Sequence, residues 1–382
     1  MKNQSRAGFT LIELMVAMAL TLFIMVILSQ AFVQSLEAFS QLKAIGDMQS
    51  NLRTAENLIR DDLSHAHFEG SRRLSDVNAA GQSRIVLEPP QEGFIAVRQS
   101  SALSATVTAP YVYEGDDNYG ISSYRATDHY LYMTVRRKGN RQENFFTTAL
   151  NGQPAVLGAF FTPQTAYNLN PGVELPVATQ TFPYVAGSST GFYSSQWAEV
   201  AYYLRRTGST EEPANPASTI GTPTFSLYRA QLVMAPDRTG LNSVFTTPAY
   251  SGANLVALSQ TTFGGMSCQP TPGAAAPTAL SFFSPADAAL GQRVIPNLAS
   301  FDPNTDARVY ASETLLLPNV VSFQVQIMPV GTNVNFMDVP GFVYDTALPA
   351  YRTGGLKALQ ITIRIFDLKT RQSRQVSIVQ DL

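Results

Sequence analysis

Hydrophobic and polar positions divide the chain into a long helical pattern and a larger alternating pattern. From Phe9 to Leu36 nearly every position is apolar, and Glu13 is the only charged residue in that stretch. The pattern predicts one helix over residues 9–68, apolar on all sides at first and on one stripe over 37–68. No proline interrupts it. The stripe consists of Leu36, Phe39, Leu42, Ile45, Met48, Leu52, Ala55, Ile59, Leu63 and Ala66.

Beyond the helix, residues 69–382 change to the alternation that is typical of β-strands. In Val320–Met328 and Leu356–Leu368, apolar and polar residues alternate, which predicts half-buried antiparallel strands with one face in water. A polar hairpin loop over 367–373 follows. The fold class expected is α+β, a long N-terminal helix packed on an antiparallel sheet with extended loops. The other predicted strands are Arg84–Glu88, Phe94–Arg98, His129–Arg137, Asn144–Ala149, Trp197–Arg205, Phe225–Met234 and Gln375–Val379.

Composition narrows the classes of function. The 382 residues include 26 basic and 28 acidic side chains, so no overall field attracts nucleic acid or anionic lipid. A single cysteine, Cys268, excludes an intrachain disulfide framework and a cysteine-based zinc cluster. It could be buried or could pair between chains. The composition leaves a globular body with one membrane element.

The N-terminal apolar run is that membrane element. The 23 residues from Leu14 to Leu36 carry no charge, enough for a helix to span about 30 Å of hydrocarbon. Lys2 and Arg6 precede the run and predict a cytoplasmic N-terminus. A secretory signal peptide would be shorter and would end in a small-residue cleavage site. A plain anchor leaves Glu13 unexplained, because a carboxylate is costly in lipid.

Residues Gly8 to Glu13, which read GFTLIE, resemble the class III signal of type IV prepilins and type II secretion pseudopilins. The resemblance implies that a prepilin peptidase cuts between Gly8 and Phe9 and that Phe9 is then N-methylated, so residues 1–8 form a leader peptide. Glu13 becomes the fifth mature residue, which in this family pairs with the N-terminal amine of a neighbouring subunit. A cationic partner makes a buried carboxylate tolerable.

Four segments of the body are similar to PilW-type minor pilins and to the related J-type minor pseudopilin: WAEVAYYLRR, FSLYRAQL, NVVSFQVQI and LKALQITIRIFD. The body is longer than is usual for the pseudopilin, which favours the pilus. Leu22 and Gln30 stand where major pilins carry a helix-loosening glycine and proline. Their presence favours an unbroken rod and a low-copy subunit.

The resemblance therefore implies a minor pilin of the type IV pilus, in a tip or priming complex that initiates assembly. Its implied partners are prepilin peptidase, other minor pilins, the major pilin, a tip adhesin and the inner-membrane assembly platform, with roles in adhesion and twitching motility. It would cross the inner membrane once, with a periplasmic body, and would later lie on the pilus at the cell surface. The alternatives are a J-type minor pseudopilin of a type II secretion system and, from another class, a surface receptor for DNA or a host ligand.

No enzyme or cofactor is expected, although three patterns raise the question. The spacing of a calcium loop occurs at Asp302, Asn304, Asp306 and Glu313. Ala307 stands at the sharp turn, where such loops have glycine, so calcium is only a weak candidate. Glu114, Asp116 and Asp117 form a still weaker acidic turn. His65, His67 and Glu69 suggest a metal, yet the two histidines point to different helix faces and are expected to be exposed.

Two further patterns have simpler interpretations. The string GSSTG around Ser189 matches a nucleophile elbow, but no helical pattern follows it. Basic residues around Lys138-Gly139-Asn140 predict a hairpin tip between two aromatic strands, and such a tip could hold DNA phosphates. A solvated hairpin end explains it as well, and DNA is not expected as a partner. The residues concerned are Arg136, Arg137, Lys138 and Arg141.

Overall fold

The first helix dominates the shape of the protein. The computed structural model describes residues 10–99, 111–116, 122–157, 189–236, 253–271, 279–294, 312–331, 335–352 and 354–382. Helix α1 spans Leu11–Ser64, and its 54 residues make it about 81 Å long. The shorter helices are α2 (Arg84–Leu87), α3 (Ala253–Thr261) and α4 (Pro285–Ala289).

Helix α1 has an exposed half and a half that packs on the body. Its apolar side chains up to Leu42 are exposed, and its first buried residue is Met48. From there Leu52, Ala55 and Ile59 follow at the predicted spacing and join the main core. Leu36, Phe39 and Leu42 belong to the predicted stripe but contact no core. The stripe is therefore buried only from Met48 onward.

An eight-stranded antiparallel sheet forms the body, in the order β12-β1-β4-β7-β8-β11-β13-β14. Helix α1 packs against β14, β11 and β13 at one end of this sheet. Two-stranded sheets form from β2 with β3, β5 with β6 and β9 with β10. The strands are β1 (Ile95–Arg98), β2 (Tyr111–Asp116), β3 (Ser122–Ala126), β4 (Tyr130–Arg136), β5 (Phe146–Asn151), β6 (Thr190–Ser195), β7 (Trp197–Ser209), β8 (Pro223–Val233), β9 (Cys268–Thr271), β10 (Ala279–Phe282), β11 (Glu313–Pro329), β12 (Val343–Asp345), β13 (Leu356–Asp367) and β14 (Gln372–Asp381).

The middle of the sheet is covered on both faces. On β4, Leu131 and Met133 belong to the core that α1 joins, whereas Tyr130 and Tyr132 belong to a cluster on the opposite face. The region around α4 covers that second cluster. Strands buried on both faces read as nearly continuous apolar runs, and for this reason the central strands show little alternation in the sequence.

The α+β fold class is confirmed, and eight of the nine predicted strands are present. Strand β11 is longer than predicted because it continues through a bulge near Asn319, whose φ is 55°. The predicted wet face of β11 and β13 is only half-exposed. Strand β3 lies over it, and the main-chain nitrogen of Ala126 donates to Ser322 Oγ at 3.0 Å.

Two predicted elements are wrong, and the first helix ends at Ser64 rather than at residue 68. Arg84–Glu88 is not a strand: Arg84–Leu87 forms the helical turn α2 and buries only Ile85, and such a short apolar run does not distinguish strand from helix. The basic segment around Lys138 is not a hairpin tip either. Strand β4 pairs with β1 and β7, whereas β5 pairs with β6, so the segment crosses from one sheet to another.

Candidate assembly site on the first helix

The N-terminal end of α1 is a capping box formed by Thr10 and Glu13. The main-chain nitrogen and Oγ1 of Thr10 donate to Glu13 Oε2 at 2.9 and 3.0 Å, and the main-chain nitrogen of Glu13 donates to Thr10 Oγ1 at 3.4 Å. Such a box satisfies main-chain groups that the first helical turn leaves unpaired. It holds the Glu13 carboxylate at the N-terminal end of α1. Gly8 and Phe9 lie outside the described residues, so the cleavage site stays a prediction.

The segment from Leu11 to Leu42 exposes an apolar surface around the whole helix. Its large side chains are about half to four-fifths exposed. Two hydroxyl groups within it bond to their own helix: Thr21 Oγ1 donates to the carbonyl oxygen of Met18 at 2.9 Å, and Ser35 Oγ donates to that of Ala31 at 2.8 Å. Internal hydrogen bonds of this kind suit these hydroxyls to lipid or to apolar neighbouring helices.

A buried ion pair attaches the other half of α1 to the sheet. Arg229 on β8 donates to Asp62 through Nε at 2.7 Å and through a terminal nitrogen at 2.9 Å, and the Tyr202 hydroxyl on β7 also donates to Asp62. Burial lowers the pKa of Arg229, but the hydrogen bonds and charge of Asp62 outweigh it and raise that pKa. Breaking such a pair leaves an uncompensated charge in the core.

Sequence reasoning missed Asp62. It lies three residues after Ile59 and seven after Ala55, so it belongs to the buried stripe although it is acidic. That position was the available signal, because an acid on a buried helix face needs a cationic partner on the surface it packs against. The partner, Arg229, is far away in the sequence and could not be chosen from spacing.

Two histidines follow the end of α1, and both approach main-chain carbonyl oxygens. His65 Nδ1 lies 2.6 Å from the carbonyl oxygen of Asp61. His67 is buried, with Nδ1 2.7 Å from the carbonyl oxygen of Thr134 and Nε2 3.3 Å from that of Leu63. The expected exposed position of His67 is therefore wrong, because the chain turns inward after Ser64. Burial lowers the pKa of His67.

The calcium candidates are only partly visible. Asp302, Asn304 and Asp306 lie outside the described residues, whereas Glu313 begins β11. The Glu313 carboxylate accepts hydrogen bonds from Tyr203 and Arg205, and burial raises its pKa. Within the described ranges, no group of three potential metal ligands occurs. Calcium binding stays untested.

The acidic turn predicted around Glu114 is also only partly described. Asp117 lies outside the described residues, and of Asp116 only the backbone is described, at the end of β2. The Glu114 carboxylate pairs with Arg125 at 2.8 Å and with Arg364 at 2.6 Å. Glu114 therefore joins β2 to β3 and β13.

The remaining sequence motifs have structural roles. Strand β6 begins at Thr190, directly after Ser189, so the helix that a nucleophile elbow requires does not follow. Cys268 is buried with Sγ 3.8 Å from the carbonyl oxygen of Phe263, and burial raises its pKa. Arg137 stacks on the Phe146 ring at 4.3 Å, which packs the basic segment against β5.

Comparison with known families supports the prepilin interpretation of the N-terminus. Residues 3–29 match the family model described as the prokaryotic N-terminal methylation motif. This match supports a type IV pilin-like, prepilin-type protein. Such proteins are structural subunits that prepilin peptidase processes and that assemble with other pilins. No curated protein and no solved structure matches this chain.

The matched motif covers the first part of the membrane segment. Helix α1 is long and apolar enough to span a membrane, and among the described residues it is the one such helix. Its position near the N-terminus is consistent with a single-pass anchor of a pilin-like protein. The body covers none of the most apolar 18-residue stretch of α1. That stretch is therefore free to contact lipid or other helices.

Proposed function

We propose that this protein is a PilW-type minor pilin of the type IV pilus, incorporated in a tip or priming complex that starts assembly. The observation that carries the proposal is the architecture of α1. Its first half exposes an apolar surface with Glu13 near its start. Its second half is fixed to the β-rich body by the buried ion pair between Asp62 and Arg229. A subunit of this kind can leave the bilayer only when other apolar helices replace the lipid.

The proposed mechanism begins with processing of the precursor. Lys2 and Arg6 hold the leader in the cytoplasm, prepilin peptidase cuts after Gly8, and Phe9 becomes the methylated terminus. The Glu13 carboxylate of one subunit then attracts the terminal amine of a neighbour. That pairing offsets the cost of burying both charges among apolar helices, and it fixes the axial position of each subunit.

The body supports a specialised subunit rather than a shaft subunit. It carries two-stranded sheets beside the main sheet, and additional structure of this kind provides contacts for other minor pilins and a tip adhesin. The unbroken α1 lacks the glycine and proline that loosen the helix in major pilins. Adhesion and twitching motility would follow from the pilus that this subunit helps to start.

The second candidate is a J-type minor pseudopilin of a type II secretion system. The methylation motif and α1 fit it equally well, since both classes share processing and assembly. The larger body favours the pilus. Deleting the gene distinguishes the two, because the pilus interpretation predicts loss of surface filaments with normal protein secretion, and the alternative predicts the reverse.

The main test combines that deletion with loss of pilus retraction. We expect the single deletion to abolish surface pili in electron micrographs and a retraction-deficient background to restore some of them. That recovery is expected of a subunit that primes assembly. Filaments that initiate slowly without it persist when they are not retracted. Normal piliation in the single deletion would contradict the proposal.

A further inference from the structure

The uncharged run of α1 contains two amide side chains near its end, Gln30 and Gln34. Both are exposed. Within the described residues neither amide forms a hydrogen bond, whereas Thr21 and Ser35 bond to their own helix. An amide without a partner in lipid, or among apolar helices, keeps the full cost of losing its water. These two side chains therefore require partners that the described part of the chain does not supply.

The depth of Gln30 makes the membrane surface an unsuitable partner. Gln30 lies six positions before Leu36, the last residue of the uncharged run, and this distance corresponds to about 9 Å of helix. Side chains of a helix lean toward its N-terminus, so the Gln30 amide leans away from the body and back along the apolar run. Its hydrogen bonds must therefore be made within the apolar layer.

Gln30 and Gln34 begin a polar stripe that continues with Glu37 and Gln41. The steps of four, three and four residues place all four side chains within about 60° of one another around the helix. All four are exposed. The stripe is about 16 Å long, and it lies on the same face of α1 as Met48, the first residue that the body buries.

The spacing of the polar stripe is that of a seam between two packed helices. Alternating steps of three and four residues are the contact positions of a helix pair, and polar side chains at such positions fix the register and select the partner. Each glutamine amide carries both a donor and an acceptor, and such amides hydrogen-bond across helices in membranes. The stripe therefore indicates a neighbouring helix with hydrogen-bonding side chains opposite Gln30 and Gln34.

The charge of Glu37 indicates what else that helix carries. Within the described part of the chain Glu37 forms no ion pair, and the nearest base on α1, Lys43, lies about 120° away around the helix. In a symmetric parallel pair of two copies, the two Glu37 carboxylates would face each other and repel. A lysine or arginine at that level pairs with Glu37 instead. The charge therefore favours a different subunit over a second copy.

We infer that the polar stripe binds the apolar helix of a different subunit, which presents hydrogen-bonding side chains to Gln30 and Gln34 and a basic side chain to Glu37. The polar contacts determine which helix packs there and at what height along α1. The inference rests on the proposed function only for the identity of the partner as another component of the same assembly. Two helices can pair in a micelle without forming a filament, so binding is measured separately.

The experiment measures energy transfer between the full chain and synthetic transmembrane helices in dodecylphosphocholine micelles. The donor is attached at Ser50→Cys, an exposed position on the opposite side of α1 from the stripe, and the native thiol of Cys268 is buried. The first acceptor peptide is a polyleucine helix with two glutamines four positions apart and a lysine three positions after the second. A second peptide has leucine in place of both glutamines, and a third has glutamate in place of the lysine. We expect the first peptide to bind at least fivefold more tightly than the others.

Reversing the charge of the stripe tests the predicted ion pair directly. Glu37→Lys should exchange the preference, so that the glutamate peptide binds at least fivefold more tightly than the lysine peptide. Gln30→Leu combined with Gln34→Leu should weaken binding of the first peptide to the level of the leucine peptide. These positions are exposed and precede the part of α1 that packs on the body. Circular dichroism checks that each variant is folded.

Thr21→Leu combined with Ser35→Leu is the matched control. It also converts two polar residues of the uncharged run to leucine, but these lie on the other side of the helix and bond to their own backbone. We expect this variant to change binding of the first peptide less than twofold.

Four results would overturn the inference. They are equal binding of the three peptides, an unchanged preference in Glu37→Lys, an equal loss of binding in the control variant, and stronger transfer between two labelled copies of the chain than to the first peptide. The last result would make the stripe a contact between copies. The deletion strain tests the proposed function independently, so failure of helix pairing here leaves that proposal standing.

Discussion

At the scale of single residues, Asp62 is the side chain on which the attachment of α1 depends. Its carboxylate is 1% exposed and is the acceptor for both Arg229 and Tyr202. Removing one partner of a buried pair is more damaging than removing both, because the remaining charge keeps its desolvation cost without compensation. The neighbouring Asp61 points outward, and the two adjacent acids make a natural comparison.

We expect Asp62→Asn to lower the free energy of unfolding by about 3–5 kcal/mol. In Asp61→Asn the replaced side chain is 52% exposed and 4.0 Å from Arg137, and the expected change is below about 1 kcal/mol. Asp62→Leu combined with Arg229→Met should recover most of the loss. Chemical denaturation followed by fluorescence of the single tryptophan measures all three, and equal losses at positions 61 and 62 would contradict the assigned role.

A second residue-scale prediction concerns acid stability. Burial lowers the pKa of His129 to about 4, whereas an unfolded histidine titrates near 6.5. The main-chain nitrogen of Val325 donates to His129 Nδ1 at 3.0 Å, so the native ring must be neutral. The neutral ring contributes fully to the free energy of unfolding above a pH of about 6.5. This contribution is lost as the pH falls toward 4.

The difference between the pKa of His129 in the unfolded and native states corresponds to about 3 kcal/mol of unfolding free energy. We expect stability to fall between pH 7 and 4 and His129→Asn to make that fall shallower. The lowered pKa of His67 acts in the same direction, so part of the slope remains. His65→Gln, which replaces a half-buried ring, is the control. An unchanged slope in His129→Asn would show that the ring does not titrate as described.

At the scale of elements, α1 performs two tasks with two separate lengths of helix. The residues from Ile45 onward pack on the body, and the apolar residues up to Leu42 remain available to lipid or to sister helices. The boundary lies after the uncharged run, which ends at Leu36. About eight residues of helix, 37–44, therefore separate the uncharged run from the part that packs on the body.

Substitutions in the two lengths of α1 should therefore have separable effects. Ile59 is fully buried, and we expect Ile59→Ala to cost about 2–5 kcal/mol of stability. Leu42 is 69% exposed, so Leu42→Ala should leave the denaturation midpoint unchanged and reduce recovery of the protein in sheared filaments. Normal filament recovery with a lowered midpoint for Leu42→Ala would contradict this division.

The sequence predicts these elements unevenly, for physical reasons. Helix α1 and strands β11 and β13 follow from periodicity, because their apolar residues recur at the spacing of a helix or of a strand. The path from β4 to β5 could not be predicted, since two aromatic strands joined by a basic turn are also the pattern of a hairpin. Asp62 shows the same limit for the candidate site: its type and position are visible, but its partner is chosen by the fold.

At the scale of the whole molecule, the buried thiol of Cys268 can be used to detect unfolding of the body. Cys268 is buried beside Phe263, where α3, β9 and β10 pack onto the large sheet. We expect this thiol to react with a disulfide reagent at least a hundredfold more slowly in the native protein than in denaturant. The rate should rise in parallel with unfolding in Ile59→Ala. Rapid native reaction would show that this part of the body opens independently of α1.

The proposed assembly mechanism rests on the negative charge of Glu13. Glu13→Gln keeps side-chain hydrogen bonding to Thr10 but removes the charge, whereas Thr10→Val removes the Thr10 hydroxyl from the cap and keeps that charge. The decisive measurement is the amount of each mature variant in sheared pili, with N-terminal mass analysis to show cleavage before Phe9. We predict that Glu13→Gln is cleaved but absent from pili and that Thr10→Val is present. Incorporation of Glu13→Gln at the wild-type level would contradict the central claim.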